Sequence, residues 1–160
     1  IKSLAIAMYP MYRGVSKVVG MTVMPPAESM ADEITMLEQN WADYDFFFVH
    51  IKKTDSYGED GNFDAKVHII EEVDALLPRI TALDPDVVII TGDHSTPAKL
   101  KSHSWHAIPT MLYAKDARPD GINHFGERAC IQGSLGPRFD ATELMPLGLA
   151  HANRLEKYGA

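Results

Sequence analysis

Apolar and polar positions change their period along the chain, and each change predicts an element. Residues 3–8 (SLAIAM) form a short apolar run closed by Tyr9-Pro10, the pattern of a buried strand. Pro10 suits the opening of a helix. Over 11–20, Met11, Val15, Val18 and Val19 recur at helical spacing, with Gly20 as a stop. Pro25-Pro26 breaks the path, and 28–41 predict a second helix with Met30, Ile34, Leu37 and Trp41 as its apolar stripe. Asp32 and Glu33 sit near its start, at the positive end of the helix dipole. Residues 44–51 (YDFFFVHI) predict a strand covered on both faces. A polar, glycine-bearing loop is expected over 52–61. The longest helix follows over 63–83, with Val67, Ile70, Val73, Leu77 and Ile80 as its stripe. Pro78 within it predicts a kink or two helices end to end.

Residues 86–91 (DVVIIT) predict the most clearly buried strand, and 108–113 another. A Gly/Pro/Asp-rich region then runs to Arg138, and 142–158 predict a last helix, with Pro146 near its first turn. The order β-α-α-β-α-β, then β and α, predicts an α/β fold. It would have three layers, a mostly parallel or mixed sheet with helices on both faces. No repeat or low-complexity linker divides the 160 residues.

Composition narrows the function. The chain is 46% hydrophobic and 23% charged, and 15 Lys and Arg against 22 Asp and Glu give a net charge of −7. Without a basic excess to neutralise phosphates, a nonspecific nucleic-acid or anionic-membrane binder is not expected. A small anionic substrate held by a local cation or metal is compatible with that charge. One cysteine, Cys130, excludes an internal disulfide and a thiolate-rich zinc site, and fits a reducing, cytoplasmic setting. Ile1-Lys2 leads into a short strand rather than a secretory signal, and no run approaches the roughly 20 apolar residues of a membrane span.

Candidate chemistry collects after two strands. The run 49–51 leads into Lys52-Lys53-Thr54-Asp55-Ser56-Tyr57-Gly58-Glu59-Asp60-Gly61, and 87–91 into Gly92-Asp93-His94-Ser95-Thr96. In α/β sheets, ligands collect outside the carboxyl ends of strands. Ser102-His103-Ser104-Trp105-His106 adds a third polar cluster. Asp, Glu and His are the usual donors for Zn and Mn. Asp55 and Glu59, four apart, reach one ion if Gly58 permits a tight turn. Adjacent Asp93 and His94 allow one to serve one ion and the other its neighbour. Two ions about 3.5–4 Å apart would clamp the attacking and leaving oxygens of a phosphoryl transfer. His50 is expected in the core, His68 on the surface, and His106 behind the ligands. Lys52, Lys53 and Arg13 are candidates for a substrate phosphate, against the alternative of solvated surface cations.

The stretches YPMYRGVSKVVGM, DYDFFFVHIKKTDSYGEDGNFDAKVHIIEEVD, VVIITGDHSTPAKLKSHSW and MPLGLAHANRLEKYGA together resemble the C-terminal part of the archaeal-type cofactor-independent phosphoglycerate mutases. These belong to the alkaline-phosphatase-like metalloenzymes. The resemblance implies an alkaline-phosphatase-like core and two divalent ions. It assigns Asp55, Glu59 and His103 to the first metal site, and Asp93 and His94 to the second. Many relatives have histidine where this chain has Glu59; a carboxylate there makes the site harder and favours Mn²⁺ or Mg²⁺ over Zn²⁺, although Zn²⁺ also accepts carboxylates. If Glu59 is not a ligand, Asp60 competes for the role.

The implied activity interconverts 3-phosphoglycerate and 2-phosphoglycerate through a phosphoserine-type intermediate. An upstream segment would supply the Ser or Thr nucleophile and a further aspartate, so 1–160 are expected to hold no nucleophile and little turnover alone. Ser3 and Ser16 lack an acidic neighbour, and the resemblance does not place the nucleophile at Ser95 or Thr96. The expected partners are a small phosphorylated substrate, and a complementary N-terminal segment or a second copy of the chain. The alternatives are a related metal-dependent phosphatase or phosphomutase, and a noncatalytic metal-binding domain.

Overall fold

The structure, a computed structural model, describes residues 1–155. They form two compact units. The first comprises Ile1–Asp84 and Thr96–Ser102, and the second Pro85–Ser95 with the described part of His103–Ala160.

The first unit is built on a parallel sheet ordered β2-β1-β3, from β1 (Ser3–Ala7), β2 (Thr22–Val23) and β3 (Phe46–His50). Parallel neighbours need crossovers. Helix α1 (Pro10–Val18) joins β1 to β2, and α2 (Met30–Asn40) lies between β2 and β3. Alternate residues of a strand face opposite ways. Leu4 to Ala7 are all shielded from solvent, so β1 is covered on both faces. Leu4 and Ile6 pack with Leu37 of α2, together with Phe47, Val49, Met36 and Trp41. The opposite face presents Phe48 and His50 to Tyr12 of α1, whose ring stacks on His50 at 3.7 Å. The unit is therefore helix, sheet, helix, as the residue pattern predicts. Burying a side chain such as Leu4 or Leu37 contributes about 1.5–3 kcal/mol.

Several sequence expectations shift. The strand covered on both faces is β1, whereas β3 lies at the edge of the three-stranded sheet and is only half-buried. The expected loop 52–61 is a helix, α3 (Lys53–Asp60). Its stop is Gly61, left-handed at φ 71°, and Asn62 then caps α4 by accepting the Ala65 backbone N–H at 3.1 Å. Polarity concealed this helix, but Gly followed by Asn is a stop and start pair. Helix α4 (Phe63–Thr81) runs through Pro78 as one element. Pro78 stands in the last turn, and its missing N–H costs the helix a single i→i−4 bond, to the Asp74 carbonyl. The buried side of α4 is rotated from the expected stripe: Ile69 is 4% exposed and Ile70 50%.

In the second unit, β4 (Val87–Ile90) pairs antiparallel with β5 (Met111–Ala114). The pairing within this unit is antiparallel, and that within the first unit parallel. β4 is half-buried rather than fully buried, with one strand partner among the described residues. Helix α5 (Glu127–Cys130) is a single turn inside the Gly/Pro/Asp-rich region, and α6 (Leu144–His151) packs on β4, with Gly148 against Ile89. Positions 156–158 of the expected last helix lie outside the described residues.

Candidate metal centre

Asp55 stands in the first turn of α3, just past the carboxyl end of β3. Its two carboxylate oxygens have different partners. The Lys52 ammonium contacts Oδ2, and the Thr96 hydroxyl donates to Oδ1. Lys52 also lies over the Tyr9 ring, 5.0 Å from its centroid. The hydrogen bond to Asp55 pushes the Lys52 pKa above its ordinary value, and the nearby Asp55 and Glu59 charges add to the rise while burial opposes it. Glu59 follows Asp55 by four residues on α3, one turn along the same face, and is exposed. The tight turn that the spacing required is a helical one.

The remaining donors belong to the loops around the Ser95–Ser104 bridge, closed by the Ser104 N–H donating to the Ser95 carbonyl at 2.9 Å. Asp93 turns toward its neighbour: Oδ1 accepts the His94 backbone N–H at 3.0 Å, and Oδ2 lies 3.5 Å from His94 Nε2. The His94 and His103 rings lie with centroids 3.8 Å apart.

One donor atom each from Asp55, His94 and His103 lies within 4.8 Å of the others. Thr96, whose hydroxyl donates a hydrogen bond to Asp55, is two residues beyond His94 in the chain. A carboxylate oxygen and two imidazole nitrogens are a donor set suited to Zn²⁺ or Mn²⁺. These residues therefore fit a divalent ion. The triad draws on both metal sites that the family resemblance implies, with Glu59 one helical turn from Asp55 and Asp93 against His94.

Other candidates stand elsewhere. Arg13 donates to the carbonyls of Ala7 and Met24, at 3.3 and 2.5 Å, and so ties the carboxyl ends of β1 and β2. Lys53 is exposed in the first turn of α3. His106 Nδ1 bonds with the Ser104 hydroxyl at 2.8 Å, His68 is exposed on α4, and His151 Nδ1 meets the Leu147 carbonyl at 2.9 Å. Sequence reasoning left out Lys66 and passed over Gly58 except as a turn former. Both press on Thr96: Lys66 Nζ donates to its carbonyl at 2.6 Å, and a Cβ on Gly58 would stand 2.3 Å from the same oxygen. In sequence Gly58 stands beside Glu59 and Asp60, and nothing there marks its close approach to Thr96.

A family profile described as "Metalloenzyme superfamily" matches residues 2–151. The chain belongs to the metalloenzyme superfamily. It is 55% identical over 159 residues to a probable 2,3-bisphosphoglycerate-independent phosphoglycerate mutase of Thermotoga sp. strain RQ2, covering 99% of this chain and 39% of that protein. A protein of the same description from Thermus thermophilus is 54% identical over 159 residues, covering 98% of this chain and 39% of that protein. The chain thus spans about two fifths of the length of these curated relatives. Among solved structures, the PH0037 protein from Pyrococcus horikoshii aligns with a TM-score of 0.92 and 31% identity, over 99% of this chain and 44% of that one. A cofactor-independent phosphoglycerate mutase from Thermoplasma acidophilum, at 23% identity and a TM-score of 0.73, shares the fold. No helix among the described residues is long and apolar enough to cross a membrane.

Proposed function

We propose that this metalloenzyme chain supplies metal ligands to a cofactor-independent phosphoglycerate mutase of the archaeal type, interconverting 3-phosphoglycerate and 2-phosphoglycerate. The observation that carries this is the convergence of Asp55, His94 and His103 in a chain 55% identical to such a mutase. Asp55, Glu59 and His103 hold one ion and Asp93 and His94 contribute to a second, with Mn²⁺ favoured because the carboxylates argue against Zn²⁺ and the imidazoles against Mg²⁺. Bound there, the ions lower the pKa of a hydroxyl nucleophile and offset charge on the transferring phosphoryl group. Lys52 holds Asp55 in place as a carboxylate, and Lys52 and Lys53 add positive charge where an anionic substrate would approach.

The nucleophile belongs to a complementary N-terminal segment. In support, Ser16 and Thr96 are buried, and the Thr96 hydroxyl is committed to Asp55. The setting is cytoplasmic, in keeping with a phosphorylated metabolite as substrate. A second reading, a related phosphatase, rests on the breadth of the matching family profile: the same ligands serve transfer to water.

Assay of the full-length protein decides between them. Chelation abolishes conversion of 3-phosphoglycerate, Mn²⁺ restores it, and residues 1–160 alone turn over little. Hydrolysis of simple phosphate esters without conversion selects the phosphatase, and family-like turnover by 1–160 alone rejects the outside nucleophile.

A further inference from the structure

Asp55 is held through a chain of contacts that extends one residue beyond its immediate partners. Thr96 is 4% exposed, and its hydroxyl and its carbonyl are both engaged. Its hydroxyl donates to Asp55 Oδ1, and its carbonyl accepts from Lys66 Nζ at 2.6 Å. Helix α3 reaches that carbonyl because position 58 has no side chain: a Cβ there would stand 2.3 Å from Thr96 O, 3.0 Å from Thr96 Cγ2 and 3.1 Å from Lys66 Nζ. Such an approach leaves no room for a side chain at position 58, so the Thr96 carbonyl is held between the α3 backbone and Lys66 of α4. A charge-assisted bond from an ammonium to a buried carbonyl is stronger than a neutral one. It also sets the direction of the Thr96 peptide, and so of the hydroxyl that orients the ligand carboxylate.

We propose that Lys66, acting through Thr96, is a positioning residue for the metal ligand Asp55, and that bare Gly58 makes this clasp possible. The inference rests on the metal-site reading above. A metal ligand needs its carboxylate aimed before the ion arrives, and partners that aim ligands typically carry ten- to a hundredfold of metal affinity. Helix α4 would then contribute to the site without placing a ligand in it.

Mn²⁺ alone is the probe, titrated into the full-length protein by calorimetry, with thermal unfolding of the metal-free protein measured in parallel. Lys66→Met should weaken Mn²⁺ binding about tenfold while leaving the metal-free unfolding temperature nearly unchanged. A purely structural lysine would lower that temperature and leave the affinity alone, and that result overturns the proposal. Should Lys66→Met not fold, Thr96→Val removes the hydroxyl while keeping its volume, and Thr96→Ser retains it. The expected pair is lost affinity in the first and near wild-type affinity in the second. Equal affinity in Thr96→Val and Thr96→Ser rejects the clasp. If the wild-type protein itself binds no Mn²⁺, Zn²⁺ or Mg²⁺, the metal reading fails and takes this one with it, an outcome distinct from unchanged binding in the variants.

Discussion

Helices α1 and α2 cover opposite faces of one parallel sheet, and in sequence both show apolar residues at threes and fours. They use that pattern in opposite ways. Helix α2 turns Met30, Ile34 and Leu37 inward, and all are buried. Helix α1 buries Ser16 and directs Tyr12 and Arg13 to the sheet, while Met11, Val15 and Val19 are exposed and Val18 is 88% exposed. The inward side of α1 is thus spent on the carboxyl edge of the strands, where Tyr12 stacks on His50 and Arg13 gathers two strand-end carbonyls. Periodicity identifies which positions share a face. It does not identify which face meets the sheet, because aromatic and cationic side chains can cover a strand end when it carries polar groups.

The contrast breaks most sharply at Leu37. Its side chain joins Leu4 and Ile6 in the core cluster. Leu37→Ala removes buried methyl groups and leaves a cavity, which costs about 2–5 kcal/mol. Urea unfolding should show this as a lower midpoint with the slope retained. A loss below about 1 kcal/mol would mean that α2 is no better seated than the outer face of α1.

Glu33 sharpens the comparison from the polar side. It lies among the buried positions of α2, fully shielded, and neither carboxyl oxygen has a hydrogen-bond partner among the described residues. Burial pushes its pKa up to about 7. The sign follows from linkage: the folded state prefers the neutral acid, so its full stability is present below the ordinary value of 4.5 and is lost as pH rises toward 7. The difference is on the order of 3 kcal/mol. Glu33→Met should therefore stabilise the protein at pH 8 by about that amount and do much less at pH 5. Thermal unfolding at the two pH values checks this, and a variant whose advantage does not depend on pH would show that Glu33 is already solvated. Asp55 shows the alternative solution, a half-buried carboxylate given an ammonium and a hydroxyl as partners.

These particulars explain how much was legible in advance. The layered α/β class followed from short apolar runs set between helical stripes, because buried strands and amphipathic helices leave period-specific traces. The candidate donors Asp55 and His94 were legible because acid and imidazole side chains stand a few residues past apolar runs, and His103 because it belongs to a further polar, histidine-bearing cluster. Helix α3 was not, since eight mostly polar residues carry no apolar period and its capping signals lie at Gly61 and Asn62, beyond its end. Lys66 was invisible for a different reason. Its role depends on meeting a carbonyl thirty residues away, and an isolated lysine on a helix looks the same whether it clasps a peptide or faces water. The two-residue β2 was lost beside Pro25-Pro26 because so short a strand has no period at all.

The smallest expected effect lies where the two helices differ most. Val18 ends α1 almost fully exposed, so Val18→Ser removes apolar surface that water already touches. Valine is also β-branched, and exchanging it for serine changes helix propensity little. The stability of the protein should move by no more than about 0.5 kcal/mol, against the several-fold larger loss at Leu37. Urea unfolding of the two variants side by side makes the test internal to one sheet. A loss at Val18 approaching that at Leu37 would show that the outer face of α1 is covered in solution, and the two helices would then differ in what covers them rather than in whether they are covered.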